Sequence, residues 1–168
     1  MFDFGIGGYR PVWHTGRVAI ARAHGDRLAR LIGRRRTEIR LVWDRRDDEW
    51  FSDCPVLLDF EGEQVAVQHQ KFDELSVTWD PIDTGRRIRW AGFDLVWRPA
   101  PGPEPAGLRD RPLRDVTLLQ LAGAPPTTGA ADVSFVFDTG RVTVFNAMDE
   151  NGLRFDPPGP EQREHPLR

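Results

Sequence analysis

The chain has 168 residues and a formal net charge of −3, and 39% of its residues are hydrophobic, including six Trp and ten Phe. This composition is enough to bury one core of ordinary size, which excludes a wholly disordered chain. Cys54 is the single cysteine, no run approaches the ~20 apolar residues of a membrane helix, and no signal-peptide pattern opens the chain. We therefore expect a soluble, cytoplasmic protein without an internal disulfide or a membrane partner.

Charge is unevenly distributed along the chain. Residues 17–46 carry ten Arg against three acids, whereas residues 47–80 carry ten acids against Lys71, the one lysine. The preference for Arg over Lys is typical of a GC-rich bacterial genome. The two blocks are either solvated faces that offset each other in the folded protein or a surface that attracts a charged macromolecule.

The N-terminal part predicts two short extended pieces within residues 1–23 and then one short helix. The glycine-rich run at residues 5–8 follows no apolar strand and opens no helix, so it lacks the context of a phosphate-binding loop. Asp26 is a suitable N-cap for a brief helix that Gly33 can end.

Alternation of apolar and polar residues then predicts the same set of strands twice. Within each set a hairpin with a two-residue loop is expected, at Gly62-Glu63 in the first set and at Thr139-Gly140 in the second. The predicted strands are 37–43, 56–60 and 65–69 in the first set, and 116–118, 133–137 and 142–145 in the second.

The two sets are related by an offset of 77 residues. Residues 31–67 match residues 108–144 without a gap, and one deletion then aligns residues 77–81 with residues 153–157. The matched positions are apolar, so the repeated feature is a buried β-surface and not a group of reactive residues. Ten residues are expected to face one core: Val56, Leu58, Phe60, Val65, Val67, Val133, Phe135, Phe137, Val142 and Val144.

We expect one mainly β domain over residues 1–156, an antiparallel β-sandwich or partly closed barrel with one short helix, because a three-strand unit alone would be marginal. The internal repeats span about 31–81 and 108–157. A further hairpin, residues 86–98, and a Pro-rich linker, residues 99–105, join them. The Pro-rich and charged tail, residues 157–168, is expected to be disordered.

The predicted register of the first hairpin brings together Cys54 and His69, the one pair of residues that could act in catalysis. If Phe60 lies opposite Val65, then His69 lies diagonal to Cys54 on one face, as a possible base for a thiol nucleophile. The alternative is that Cys54 is a small core residue and His69 a polar plug, with its repeat partner Asn146 at the other end of the core. Because a hairpin end offers no helix N-terminus to lower the pKa of the thiol, we favour the structural interpretation and expect no catalytic residue.

No metal or other cofactor is expected. The four histidines, at positions 14, 24, 69 and 165, have no spacing that places two of them on one helix face or strand, and there is no cysteine pair. The acidic run at residues 47–49 lacks the glycine and the alternating acids of a calcium loop.

The loop that follows the first repeated strand is the best candidate binding surface. Its aromatic pair is framed by acids, whereas the equivalent residues 122–129 have neither aromatics nor charges. In such a surface Trp provides affinity, while an acidic rim sets rate and specificity. The alternative is that Trp50 folds over an open end of the sandwich as a lid. The candidate binding residues are Asp47, Asp48, Glu49, Trp50, Phe51 and Asp53.

Asymmetric loops on a duplicated apolar scaffold favour a non-catalytic protein that binds another protein, with an inhibitor or immunity-type protein as one version. The alternative is a small enzyme or ligand carrier with a hollow barrel that binds a small molecule, with His69 or Asn146 as its polar group. The walls of that pocket would be Trp13, Trp43, Trp79, Trp90 and Trp97. An isoelectric point near 5.8 and the absence of an aromatic stacking ladder argue against nucleic-acid binding.

Overall fold

The structure is a computed structural model that describes residues 2–167, and it is mainly β, with two antiparallel sheets and two helices. Neither helix of the described chain has the length and the apolar character that a membrane crossing requires. The elements in chain order are β1 (His14–Thr15), α1 (Arg17–Ala29), β2 (Arg36–Asp44), β3 (Glu49–Trp50), β4 (Val56–Phe60), β5 (Glu63–Gln70), β6 (Glu74–Thr78), β7 (Leu95–Pro99), α2 (Pro103–Gly107), β8 (Leu113–Leu121), β9 (Asp132–Phe137), β10 (Arg141–Asn146), β11 (Asn151–Arg154) and β12 (Gln162–Pro166).

The two sheets are built on the same plan. The seven-stranded sheet has the order β1-β6-β5-β4-β2-β3, with β7 also paired to β2, and the five-stranded sheet has the order β11-β10-β9-β8-β12. Each sheet therefore contains a four-strand meander, β2-β4-β5-β6 or β8-β9-β10-β11. In each, an added antiparallel strand, β7 or β12, pairs with the C-terminal half of the first strand of the meander.

Pairing registers in the two meanders agree at the offset of 77 residues. Ile39 pairs with Leu58 as Val116 pairs with Phe135, and both β2–β4 and β8–β9 carry an irregularity two residues into the first strand. The pairing of β5 with β6 matches that of β10 with β11 after a shift of one residue, at the position of the deletion in the sequence. The alternating pattern therefore produces the same sheet twice.

The space between the sheets is filled by one continuous core. The ten residues that the pattern predicts to face it are all buried, with exposures of 0–4%. The rings of Phe60 and Phe135, which come from opposite sheets, pack with centroids 5.6 Å apart. Ile20 and Leu28 of α1 add to this core.

The first hairpin has a register two residues away from the predicted one. Phe60 pairs with Glu63 and not with Val65, and the turn residues are Glu61 and Gly62, with φ of 55° and 95°. Positive φ at both central residues is the type I′ turn, which matches the twist of the flanking strands. A shift of two residues keeps every side chain on its face, whereas a shift of one would have reversed the faces.

The second hairpin is displaced from its prediction in the same way. The Phe137 N–H donates to the Gly140 carbonyl at 2.8 Å, so the loop is Asp138-Thr139 and not Thr139-Gly140. Neither loop residue has a positive φ, unlike Glu61 and Gly62. The two loops are therefore equal in length but different in conformation, and the core pattern is unaffected.

A second core, which the sequence pattern did not predict, covers the outer face of the seven-stranded sheet. Phe4, Ile6 and Tyr9 from the N-terminal segment lie on it, together with Ile82 and Ile88 from the connection between β6 and β7. Beneath them lie Val42, Cys54, Leu57 and Ala66 of the sheet and its approach. The chain is thus layered as covering segment, seven-stranded sheet, core and five-stranded sheet.

The two sheets are joined at opposite ends, which makes the sandwich a partly closed barrel. At one end Arg35 bridges Pro112, its equivalent at the 77-residue offset, and the Leu113 N–H donates to the Arg34 carbonyl at 2.8 Å. At the other end the β5–β6 turn is hydrogen-bonded to the β10–β11 turn through Lys71 and Asp149. We call this second junction the closed end.

Two further predictions are corrected by the structure. Residues 17–21, which alternate like a strand, belong to the 13-residue helix α1, because Ile20 and Leu28 enter the core from one helical face. The tail is not disordered throughout, since β12 pairs with Thr117–Leu121 and the Leu167 N–H donates to the Val116 carbonyl at 3.0 Å. The Pro-rich linker contains the start of a second, five-residue helix, α2.

Candidate functional site

The acidic part of the candidate loop lies at the exposed turn between β2 and β3. Asp47, Asp48 and Glu49 are all exposed there. Asp48 accepts hydrogen bonds from Trp43 Nε1 at 3.0 Å and from Arg98 Nη1 at 3.3 Å. Both hydrogen bonds lower the pKa of the Asp48 carboxyl below its usual value, and the bond from Trp43 has the larger effect. The Asp48 carboxylate therefore interacts with side chains of β2 and β7.

The aromatic part of the candidate loop is divided between two faces. Trp50 pairs with Trp43 across the strands and packs, half-buried, against the core between the sheets. Phe51 packs against the outer core, where its ring centroid lies 4.9 Å from that of Trp90 and 4.8 Å from that of Phe93. Trp50 thus has the position of a lid, and the two rings do not form a joint surface.

Cys54 and His69 lie in different cores, which corrects the predicted pairing. The turn that precedes β4 takes Cys54 out of the strand alternation and into the outer core, whereas His69 lies at the closed end between the sheets. Burial is the main cause that raises the pKa of the Cys54 thiol, and the nearby Asp53 carboxylate raises it further. A buried thiol with a raised pKa is not a thiolate at neutral pH, and His69, the predicted base, does not lie beside it.

His69 is a structural residue that joins the sheets. Its Nε2–H donates to the Val144 carbonyl at 3.1 Å, and its backbone N–H donates to Asn151 Oδ1 at 2.7 Å. Burial lowers the pKa of the imidazole to about 4, so it is neutral at pH 7. Asn146, predicted to plug the opposite end, lies at the same end, where its Nδ2 donates to the Lys71 carbonyl at 3.0 Å.

The tryptophans do not line a pocket inside the barrel. Trp13, Trp90 and Trp97 belong to the outer core or pack against it, and Trp79 packs against the core between the sheets. Trp43 lies half-buried near the end of β2, paired with Trp50 of β3 and Val96 of β7. The interior holds the aliphatic and Phe side chains already described. The pocket proposed for a ligand carrier is therefore filled.

Two of the histidines come together although their spacing did not predict it. The ring centroids of His14, on β1, and His24, on α1, are 5.6 Å apart, and Trp79 Nε1 donates to His24 Nδ1 at 3.2 Å. Burial, followed by His14 and Arg27, lowers the pKa of His24. Within residues 2–167 no group of three or more His, Cys, Asp or Glu side chains is arranged to hold a metal ion.

The closed end carries the most exposed apolar side chains of the described chain. Phe72 in the β5–β6 turn is 72% exposed and Met148 in the β10–β11 turn is 75% exposed. Acidic residues adjoin both turns, and the Glu150 carboxylate accepts a hydrogen bond from Ser52 Oγ at 2.8 Å. We call this surface the acidic tip and define it as Asp53, Phe72, Met148, Asp149 and Glu150.

The acidic tip is held in place by a network between the two halves. The Lys71 N–H donates to Asp149 Oδ1 at 2.5 Å, and the Asp149 N–H donates to the Lys71 carbonyl at 2.9 Å. Asn151 Nδ2 donates to the Ser52 and Cys54 carbonyls, which attaches the Asp53 segment as well. Such a bonded network restricts the backbone that carries Phe72 and Met148.

The backbone of the acidic tip is also strained. Lys71, Met148 and Asp149 all have positive φ, of 52°, 64° and 74°, although none of them is glycine. Non-glycine residues in this region are uncommon, and they persist where the surrounding structure over-determines them. The hydrogen bonds between Lys71 and Asp149 provide that constraint.

Electrostatically, the acidic tip is a point where like charges converge. Burial is the largest cause that raises the pKa of the Asp53 carboxyl, and the nearby carboxylates of Glu150 and Asp149 raise it further. Of the six residues in the predicted binding loop, Asp53 alone belongs to this surface. Phe72, Met148, Asp149 and Glu150 were missed, although residues 72 and 149 are equivalent at the 77-residue offset and both lie in predicted connections.

The chain matches no family model, no curated protein and no solved structure.

Proposed function

We propose that this chain is a non-catalytic binding protein that recognises a basic surface of another protein through the acidic tip. An inhibitor or immunity-type protein is one version of this function. The observation that supports it best is the pair of exposed apolar side chains, Phe72 and Met148, framed by three carboxylates. A cytoplasmic location, inferred from the composition, is part of the proposal.

The apolar pair would provide the affinity. Full burial of a Phe or Met side chain contributes roughly 1.5–3 kcal/mol, and both residues are now largely in water. Because the hydrogen bonds between Lys71 and Asp149 already order both turns, little backbone entropy would be lost on binding. Met and Phe are also among the residue types enriched at protein interfaces.

The acids would provide the rate and the specificity. Clustered carboxylates attract a basic partner over distances up to the ~10 Å screening length of 0.1 M salt. The one lysine beside them, Lys71, is already paired with Glu74 at 3.2 Å, so it offsets the negative charge of the acidic tip only in part. A partner with Arg or Lys around an apolar recess fits both features.

Affinity capture with two matched baits tests the proposal. One bait carries Phe72→Ser and Met148→Ser; the control carries Val12→Ser and Leu121→Ser, which are 59% and 60% exposed in the wild type but lie outside the acidic tip. We expect a partner that wild type and control enrich and that the acidic-tip variant loses. A partner retained equally by all three baits would overturn the proposal.

A further inference from the structure

An arginine-rich cavity of about 660 Å³ lies on the outer side of the seven-stranded sheet, beside the connection between β6 and β7. Its wall includes the side chains of Arg46, Arg86, Arg87, Arg89, Trp90 and Phe93. Two further cavities of about 280 Å³ each adjoin it and share Arg86 and Arg87. A volume of this size is in the range of sites that hold a small organic ligand.

The arginines of this cavity are only partly neutralised. Arg87 pairs with Asp94 at 2.6 Å, and Arg46 donates to the Gly92 carbonyl at 3.0 Å. Within residues 2–167 the guanidinium groups of Arg86 and Arg89 have neither an ion pair nor a hydrogen bond to the protein. Four arginines against one aspartate leave an excess of positive charge, with two guanidinium groups free to bind an anion.

One wall of the cavity is aromatic and fixed in place. Trp90 Nε1 donates to the Phe4 carbonyl at 2.7 Å, which sets the orientation of the indole. The Phe51 ring contacts both Trp90 and Phe93, with centroids 4.9 Å and 4.8 Å away. Phe93 is nevertheless 42% exposed. A large ring left in water beside free guanidinium groups offers a surface on which a planar base can stack.

The N-terminal glycines bring the covering segment close to the arginines. Gly5 has φ of +68°, and a Cβ at this residue would lie 2.4 Å from the Arg89 carbonyl oxygen. The Arg89 N–H donates to the Gly5 carbonyl at 3.1 Å. Glycine is therefore required here for close approach, and the contact fixes the backbone from which the Arg89 side chain extends into the cavity.

We propose that this cavity binds a free nucleotide, with its phosphates on Arg86 and Arg89 and its base against Phe93 and Trp90. Guanidinium groups match the geometry and the charge of phosphate oxygens. The aromatic wall distinguishes a nucleotide from an inorganic anion of equal charge. Phe93 and Trp90 provide a stacking surface for one base and not for a series of bases, so a single nucleotide is favoured over a polymer, and the site is distinct from the acidic tip of the proposed function.

Calorimetric titration of the folded chain with ATP and with inorganic tripolyphosphate, in magnesium-free buffer, tests the site. We expect saturable one-to-one binding of ATP. Arg86→Gln with Arg89→Gln should weaken both ligands by about tenfold or more, because charge-assisted hydrogen bonds are lost. Phe93→Leu should weaken ATP alone by about fivefold or more, because the stacking surface is removed. The matched control is Arg22→Gln with Arg30→Gln, which removes the same charge from exposed positions of α1 and its end and should change neither affinity.

Three results would overturn the proposal. The first is the absence of saturable ATP binding to the wild type. The second is an equal loss of affinity in the control variant, which would show a diffuse charge effect. The third is tighter binding of a single-stranded oligonucleotide, by more than about tenfold over ATP, with the same dependence on Arg86 and Arg89. That result would show that the site is a groove for a nucleic-acid polymer. Circular dichroism on each variant establishes that the fold is retained.

Discussion

The buried imidazole of His69 predicts a specific loss of stability in acid. The residue is 1% exposed and its ring donates to the Val144 carbonyl, so the folded protein holds it neutral. Its pKa is about 4 in the folded protein, against an ordinary value of 6.5. Between these values the unfolded chain binds more protons than the folded one, and the free energy of unfolding therefore falls as the pH is lowered from 6.5 towards 4.

The expected size of this loss follows from the shift in pKa. At about 1.4 kcal/mol per pKa unit, the difference corresponds to roughly 3 kcal/mol by pH 4. Asp132 acts in the opposite sense, because burial raises the pKa of its carboxyl to about 6, so the folded state binds more protons than the unfolded state between pH 4 and 6. The two contributions partly cancel in the wild type, so the effect of His69 has to be isolated by a variant.

The variant is His69→Gln, whose amide nitrogen can approach the position of Nε2 without titrating. Urea unfolding of wild type and variant at pH 7, 6, 5 and 4 gives the difference in the free energy of unfolding at each pH. We expect the wild type to lose about 3 kcal/mol relative to the variant between pH 7 and 4. A difference that stays constant with pH would refute the reasoning, since His69 would then titrate alike in both states.

Three further predictions concern the cores and the loop. Phe60→Ala should lower the free energy of unfolding by about 3–5 kcal/mol, because a fully buried ring is removed. The control Phe72→Ala, at an exposed position, should change the free energy of unfolding by less than about 0.5 kcal/mol. Equal effects of the two substitutions would contradict the assigned faces. Cys54 should resist alkylation at pH 7 until urea unfolds the chain, because the thiol is buried and its pKa is raised; rapid labelling of the folded protein at pH 6 would be inconsistent with this burial. Trp50→Ala should lower the melting temperature by about 2–4 °C for each kcal/mol of stability lost, and it should leave the affinity for a captured partner unchanged. A loss of affinity with an unchanged melting temperature would instead show that Trp50 belongs to the binding surface.

The core between the sheets could be predicted from the sequence because its signal is periodic. Val56, Leu58 and Phe60 alternate with residues of the opposite face, and the alternation recurs at Val133, Phe135 and Phe137. Periodicity determines which face is buried, but it leaves the register undetermined by multiples of two residues. The hairpin turn settles the register, and Glu61-Gly62 can take the type I′ conformation although its first residue is not a typical choice.

The outer core and α1 were not predictable by the same argument. Phe4, Tyr9 and Ile82 lie in irregular segments without a period, so nothing in their spacing indicates the sheet that they cover. Val18 and Ile20 alternate like strand residues, but the helix forms because Ile20 and Leu28 reach the core from one helical face. Tertiary packing thus overrides a local preference in α1, whereas the outer core has no local signal at all.

The predicted binding surface stays a prediction, and the structure separates its two aromatic residues. Trp50 and Phe51 are divided between two faces of a sheet, whereas exposed apolar side chains and acids lie together at the acidic tip, which the sequence pattern did not indicate. The contact between the β5–β6 and β10–β11 turns depends on how the halves pack together. Sequence spacing carries no information on that packing. Arg86 and Arg89 were missed for a related reason, since the backbone of Arg89 is positioned by its contact with Gly5 of the covering N-terminal segment.

Hydrogen exchange in the presence of the captured partner tests the central claim most directly. We expect new protection of the backbone amides of residues 71–74 and 147–151 at the acidic tip, with little change at residues 45–51 and 122–129. Protection confined to residues 45–51, with the acidic tip unchanged, would contradict the account.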